Sequence, residues 1–141
     1  MPVYIWYIIL NHTILFPVVA GIIRFRYAGK EYLPFLILIW IGAFNDTLSL
    51  ILAYTLKTNA LNGNLYVLLE YSLLLYIFYN WNNGKATWYI IWLALGVGGW
   101  VTDNFVYHSI SDNNSFFRIA YSVITVFFAV DRFNKIVVVS K

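Results

Sequence analysis

Five apolar stretches separated by short polar connectors constrain what this chain can fold into more than any other feature. Crossing the hydrocarbon core of a bilayer takes roughly 17 to 25 mostly apolar helical residues. We therefore expect membrane spans over about residues 3–23, 33–55, 65–82, 88–108 and 115–133. Short connectors favour antiparallel neighbours. The sequence predicts an all-α, polytopic bundle of five spans that forms a single transmembrane domain over residues 1–141.

The composition supports this class and excludes several others. Only 11% of the residues are charged, whereas soluble domains carry about 25%. The 21% of aromatic residues suits the ring belts found at membrane–water interfaces. A net charge of +3 without a basic patch argues against a nucleic-acid partner. The chain has no cysteine for a thiolate metal or iron–sulfur site, and no lysine within a span for a retinal Schiff base. We predict no cofactor and name the lipid bilayer as the expected partner.

The basic residues predict an orientation. Cytoplasmic loops of membrane proteins carry an excess of Lys and Arg. With five spans, seven basic residues fall on one side and two on the other. The first side has Arg24, Arg26, Lys30, Lys85, Arg132, Lys135 and Lys141, and the second has Lys57 and Arg118. We expect the N-terminus outside, the C-terminus in the cytoplasm and, from size and composition, a bacterial cytoplasmic (inner) membrane.

Ionisable side chains within the spans gather in the predicted outer half. A charge at the centre of a span costs about 2.5–3.5 kcal/mol on insertion scales, so such residues usually face the bundle interior and often mark function. At about 1.5 Å per residue, these lie between the outer surface and roughly 13 Å below it. The candidate ligand- or ion-binding residues are His12, Asn45, Asp46, Glu70, Asp103, Asn104 and Arg118. Weak candidates for a metal site are His12, Asp46, Glu70 and His108.

The charges suggest particular partners. Asp103 is predicted near a helix C-terminus and Arg118 near a helix N-terminus, so each is disfavoured by its own helix dipole. We expect these two to form an ion pair, with anion binding by Arg118 as the alternative. Asp46 and Glu70 leave three explanations open: one carboxyl group is protonated, a protonated His12 pairs with it, or a cation binds between them.

Local signals add four further predictions. Pro17 is expected to kink the first span. Asn64 and Ser115 are expected to cap the third and fifth helices. Small and polar residues at helical spacing predict packing seams in three spans. These seams comprise Gly42, Asp46, Ser49 and Ala53 in the second span, Trp92, Gly96, Gly99 and Asp103 in the fourth, and Arg118, Ser122, Thr125 and Ala129 in the fifth.

The sequence supports three functions. The first is a non-enzymatic module that binds a small ligand, proton or cation in an outward-facing polar cluster, for sensing or transport. The second is a membrane-embedded hydrolase or transferase that acts on lipid head groups with a carboxylate or His as general base. The third is an interaction subunit, as a homo-oligomer or beside a partner membrane subunit. No HExxH, GxSxG, Walker A or GxGxxG motif is present, and we lean towards a non-enzymatic role.

Overall fold

The computed structural model describes residues 12–81 and 85–139 and is helical, with 88% helix and no strand in that part of the chain. The predicted all-α class is confirmed. The α-helices are α1 (Leu15–Arg24), α2 (Leu33–Thr55), α3 (Ala60–Trp81), α4 (Ala86–Val101) and α5 (Phe116–Val139). A π-helical segment, Thr102–Tyr107, continues α4. Short 3-10 helices cover His12–Ile14, Phe25–Tyr27 and Lys30–Tyr32.

Within the described residues, three helical stretches are long and apolar enough to cross a membrane, which indicates an integral membrane protein. They are Leu33–Thr55, Ala60–Trp81 and Ala86–Tyr107. Helix α5 is 24 residues long but carries four charged residues, Arg118, Asp131, Arg132 and Lys135. The described part of the first predicted span holds the ten-residue α1. The five-span count and the orientation stay predictions.

The chain forms two compact units, Met1–Asn59 and Ala60–Lys141, here called the N-terminal and C-terminal units. The single transmembrane domain predicted over residues 1–141 stays a prediction. In the N-terminal unit α1 packs against α2 at the buried Gly21, where an added Cβ would lie 3.1 Å from Leu36 Cδ2. The rings of Phe25 and Trp40 stand 5.6 Å apart. Near Pro17, where a kink was predicted, the 3-10 helix that ends at Ile14 is followed by α1. Pro17 lies in the first turn of α1, where Pro is tolerated.

An aromatic core holds the C-terminal unit together. Its buried residues are Val67, Tyr71, Leu75, Trp100 and Phe117. Helix α4 packs tightly against α3 at Gly96, where an added Cβ would lie 1.9 Å from Tyr71 Cε1. The Tyr71 hydroxyl donates a hydrogen bond of 2.6 Å to the Trp92 carbonyl. This contact fixes how α4 lies on α3.

The residues of the three predicted packing seams differ in burial. In the fourth span Gly96 and Asp103 are buried, Trp92 is partly buried and Gly99 is exposed. In the fifth span Arg118, Ser122 and Ala129 are exposed, so no described helix covers them. Helix α5 instead packs through aromatic side chains such as Phe117. The Ser122 hydroxyl donates to the Arg118 carbonyl of its own helix at 2.7 Å, so it needs no partner helix. In the second span Gly42 is buried and Ala53 exposed.

The two predicted helix starts also differ in outcome. Helix α5 begins at Phe116, directly after Ser115, as expected. Helix α3 begins at Ala60, four residues before Asn64, so the N-cap predicted at Asn64 is wrong. The Asn64 side chain instead reaches across to the connector between α4 and α5.

Candidate functional site

The π-helical segment at the end of α4 turns two polar side chains into the C-terminal unit. Asp103 is 4% exposed and Asn104 is 2% exposed. The amide of His108 donates to the Asp103 carbonyl at 3.1 Å, five residues back along the chain. A π turn is wider than an α turn and is often found at functional sites. Here it buries a carboxylate at the end of a candidate span.

Both oxygens of the Asp103 carboxylate are engaged. Oδ2 accepts a hydrogen bond of 2.8 Å from the backbone N–H of Phe117, the second residue of α5. Oδ1 lies 3.0 Å from Nδ1 of His108. An acceptor at a helix N-terminus satisfies an otherwise unpaired N–H and stands at the positive end of the helix dipole. Asp103 thus caps α5 and also holds the His108 ring.

The predicted Asp103–Arg118 ion pair is wrong. The α5 amide and His108 already occupy the carboxylate. Arg118 is exposed, and its Nη2 lies against α3, 2.9 Å from where a Cβ at Gly63 would stand. The Arg118 guanidinium makes no ion pair within residues 12–81 and 85–139. This leaves the alternative, anion binding by Arg118, as a prediction.

His108 is the exposed member of the pair. Its side chain is 35% exposed, and its ring stacks on Phe116 with centroids 5.5 Å apart. Nδ1 is directed at Asp103, whereas Nε2 has no hydrogen-bond partner among the described residues. The ring borders a groove of about 630 Å³, called here the His108 groove. Its walls are Gly99, Thr102, Asp103, Tyr107, His108, Phe116, Phe117 and Ala120.

A network of buried amide side chains supports the site. Asn64 donates from Nδ2 to the carbonyls of Ile110, at 2.9 Å, and Asp112, at 2.7 Å. The Trp100 indole donates to the backbone carbonyl of Asn64 at 2.8 Å. These bonds tie the connector between α4 and α5 to the first turns of α3. Asn64 and Trp100 were not predicted as site residues, although a buried Trp needs an acceptor for its N–H.

Asn114 closes the network from the connector side. Its Nδ2 donates to Asn104 Oδ1 and to the Ser109 carbonyl, both at 2.9 Å. Asn104 in turn donates to the Trp100 carbonyl at 2.9 Å. The buried Oδ1 of Asn114 has no partner within the described residues. Asn114 was not predicted as a site residue, because its only distinguishing feature in the sequence is its place in the Asn-rich connector.

Glu70 and Tyr121 join α3 to α5 about one turn beyond the Asp103 cap. The Tyr121 hydroxyl donates to Glu70 Oε2 at 2.7 Å. Glu70 is half-buried and makes no ion pair with a described residue. The partner that the sequence could not name for Glu70 is therefore a tyrosine hydroxyl.

The remaining candidates lie in the N-terminal unit. Asp46 is exposed on α2 and makes no ion pair with a described residue. Asn45 beside it is partly buried. The side chain of His12 lies outside the described part of the chain. Among the side chains that the structure describes, no three His, Asp or Glu residues lie close enough to hold a metal ion.

Comparisons with protein-family models, with curated proteins and with solved structures find no match to this chain.

Proposed function

We propose that this integral membrane protein binds a small ligand, a proton or a cation at His108, for sensing or transport. The observation that carries the proposal is the pairing of a buried carboxylate with a half-exposed imidazole. Asp103 fixes Nδ1 at 3.0 Å, and the ring borders the His108 groove. In the neutral tautomer whose Nδ1–H donates to the Asp103 carboxylate, Nε2 presents a lone pair. That nitrogen can accept a proton, receive a hydrogen bond or coordinate a cation.

The surroundings of the pair suit binding. The Asp103 carboxylate cannot turn away from His108 without leaving the α5 N-terminus uncapped. A ring held in one orientation loses little freedom when a ligand arrives. The groove offers an apolar wall at Phe116 and Phe117, which favours a ligand that combines a polar group with an apolar part. In the predicted orientation, the groove opens at the outer face of a bacterial inner membrane.

The test uses the two histidines of the chain as reporter and control. In mild detergent, diethylpyrocarbonate is expected to modify His108, and thermal-shift screening against amino acids, sugars and small ammonium ions is expected to find a stabilising ligand. The shift should vanish in His108→Gln and persist in His12→Gln. If the ligand is a proton, the screen is replaced by vesicles that contain the protein and a pH-sensitive dye. His108→Gln should then slow the pH change inside the vesicles. An unreactive His108, or a ligand shift that survives His108→Gln, would contradict the proposal.

A second candidate function follows from the same contact. A carboxylate that orients an imidazole is the usual arrangement of a general base, which favours a hydrolase or transferase acting on lipid head groups. His108 Nε2 would then take a proton from water or from a lipid hydroxyl group. The test is lipid turnover in vesicles, followed by mass spectrometry. Turnover that His108→Gln abolishes supports this function, whereas equal turnover in the wild type and the variant excludes it.

A further inference from the structure

A second groove lies in the N-terminal unit, at the connector between α1 and α2. It has a volume of about 340 Å³ and is called here the basic groove. Its walls are Phe25, Arg26, Ala28, Gly29, Lys30 and Leu33. None of these residues belongs to the site around His108.

Hydrogen-bonded backbone builds the groove. The Ala28 amide donates to the Arg24 carbonyl at 3.1 Å, and the Tyr32 amide donates to the Gly29 carbonyl at 2.9 Å. Between these two turns the backbone of Gly29 is extended, with φ −63° and ψ 157°. The connector is therefore a defined shape on which Arg26 and Lys30 occupy fixed positions.

Two cationic side chains line this groove. Arg26 and Lys30 are both exposed, and neither makes an ion pair with a side chain that the structure describes. Arg24 adds a third positive charge in the last turn of α1. The connector sequence contains one acidic residue, Glu31. The local charge is therefore positive, and the groove is complementary to an anion.

The apolar side of the groove indicates which kind of anion it would bind. Phe25 is 44% exposed and Leu33 is 38% exposed, and both border the groove where α1 ends and α2 begins. Exposed tyrosines, Tyr27 and Tyr32, flank it, as is typical of the headgroup level of a membrane. A ligand that joins a phosphate group to an apolar body fits this mixture better than a free phosphate ion.

We propose that the basic groove binds the phosphate of an anionic phospholipid in the cytoplasmic leaflet, such as phosphatidylglycerol. The Arg26 guanidinium can hold a phosphate through two parallel hydrogen bonds, and Lys30 adds a second charge. Phe25 and Leu33 contact the glycerol and the first methylene groups of the acyl chains. Basic sites at the cytoplasmic side of spans bind such headgroups, and the positive-inside pattern puts this connector on that side.

The experiment measures lipid retention by the purified protein in mild detergent. Dioleoyl-phosphatidylglycerol or dioleoyl-phosphatidylcholine is added, and bound lipid is counted by native mass spectrometry. The wild type is expected to retain phosphatidylglycerol selectively. Arg26→Gln/Lys30→Gln is expected to bind it about tenfold to thirtyfold more weakly, because the variant loses the electrostatic attraction of two basic residues for the anionic headgroup. The charge-preserving Lys30→Arg is expected to retain it.

The matched control is Lys85→Gln/Arg132→Gln, which removes two basic charges from the same predicted face outside the groove. It is expected to bind phosphatidylglycerol nearly as well as the wild type. Equal retention by the groove variant overturns the proposal, and so does an equal loss in the control, since binding would then follow diffuse charge. Displacement of the lipid by equimolar inorganic phosphate would show a soluble anion site and overturn it as well. Far-UV circular dichroism checks that each variant is folded.

Discussion

Replacing Gly96 with alanine tests the tight packing of α4 against Tyr71 in the C-terminal unit. The new Cβ would stand 1.9 Å from Cε1, 2.4 Å from Cζ and 2.7 Å from the hydroxyl oxygen of Tyr71. Ordinary van der Waals contact begins at 3.4 Å. The Tyr71 ring would therefore have to move by about 1.5 Å, or the two helices would have to separate.

Neither movement is easy. Tyr71 is 1% exposed, its hydroxyl bonds to the Trp92 carbonyl, and its ring packs edge-on against Phe117 with centroids 5.6 Å apart. Overpacking a filled core costs typically 1–3 kcal/mol, and losing the hydrogen bond costs about 0.5–1.5 kcal/mol more. These costs sum to about 1.5–4.5 kcal/mol, and the better helix propensity of alanine offsets about 0.8–1 kcal/mol, so we expect Gly96→Ala to lower the free energy of unfolding by about 0.5–3.5 kcal/mol.

Two other glycines of α4 provide matched controls. A Cβ at Gly98 meets nothing within 4 Å, and a Cβ at Gly99 would meet the Phe117 ring at an ordinary 3.7 Å. Because alanine is the better helix former by about 0.8–1 kcal/mol, Gly98→Ala should be neutral or slightly stabilising. Gly99→Ala should be close to neutral. Unfolding is measured by titration with SDS in mixed micelles, followed by far-UV circular dichroism and tryptophan fluorescence.

The ranking of the three variants decides the outcome. If Gly96→Ala unfolds at the same SDS fraction as Gly98→Ala, then Tyr71 does not occupy the space beside Gly96. The face of α4 that carries Trp100 and the adjoining Asp103 would then be assigned wrongly. The reasoning that places Asp103 at the start of α5 would be refuted together with the contact.

Three further predictions concern polar contacts. Asn64→Ala should cost about 1–3 kcal/mol by leaving two connector carbonyls without their donor, and hydrogen exchange in residues 108–115 should accelerate; unchanged exchange would contradict this. Tyr121→Phe should destabilise more than Glu70→Gln in the same SDS titration, because Gln keeps an acceptor oxygen but Phe has no donor; the reverse order would refute the bond. Asp46→Asn should change the free energy of unfolding by less than about 1 kcal/mol or raise it, since apolar surroundings penalise a charge. An equal loss of stability in Asp46→Asn and in His12→Gln would instead indicate that the two side chains form a pair.

The positions of the helices follow from hydropathy, but their ends do not. The second span was predicted over residues 33–55, and α2 covers Leu33–Thr55. The third span was expected to begin at residue 65, yet α3 begins at Ala60. Hydropathy marks the part of a helix that suits hydrocarbon, whereas the helix itself continues as long as its backbone bonds are satisfied. The same reasoning explains why α5 runs to Val139, six residues beyond the predicted span.

The site was predictable in composition but not in pairing. The sequence indicated that Asp103 and Asn104 matter, and both are buried. The partner of Asp103 was missed because the chain from Thr102 to Tyr107 is π-helical. The wider turn changes the direction of the side chains that follow, so an argument from 3.6 residues per turn misplaces them. His108 is five residues from Asp103 and meets it only through this turn.

Asp103 and Asp46 show what a carboxylate in a candidate span requires. Asp103 has a backbone amide and an imidazole at hydrogen-bond distance, so its burial is compensated within its own unit. Asp46 is exposed on α2 without an ion-pair partner in the described chain. An uncompensated charge inside a membrane costs about 2.5–3.5 kcal/mol, comparable to the upper end of the destabilisation expected for Gly96→Ala. The three predicted explanations for Asp46, a proton, His12 or a bound cation, therefore stay open, and the Asp46→Asn and His12→Gln pair separates the second from the other two.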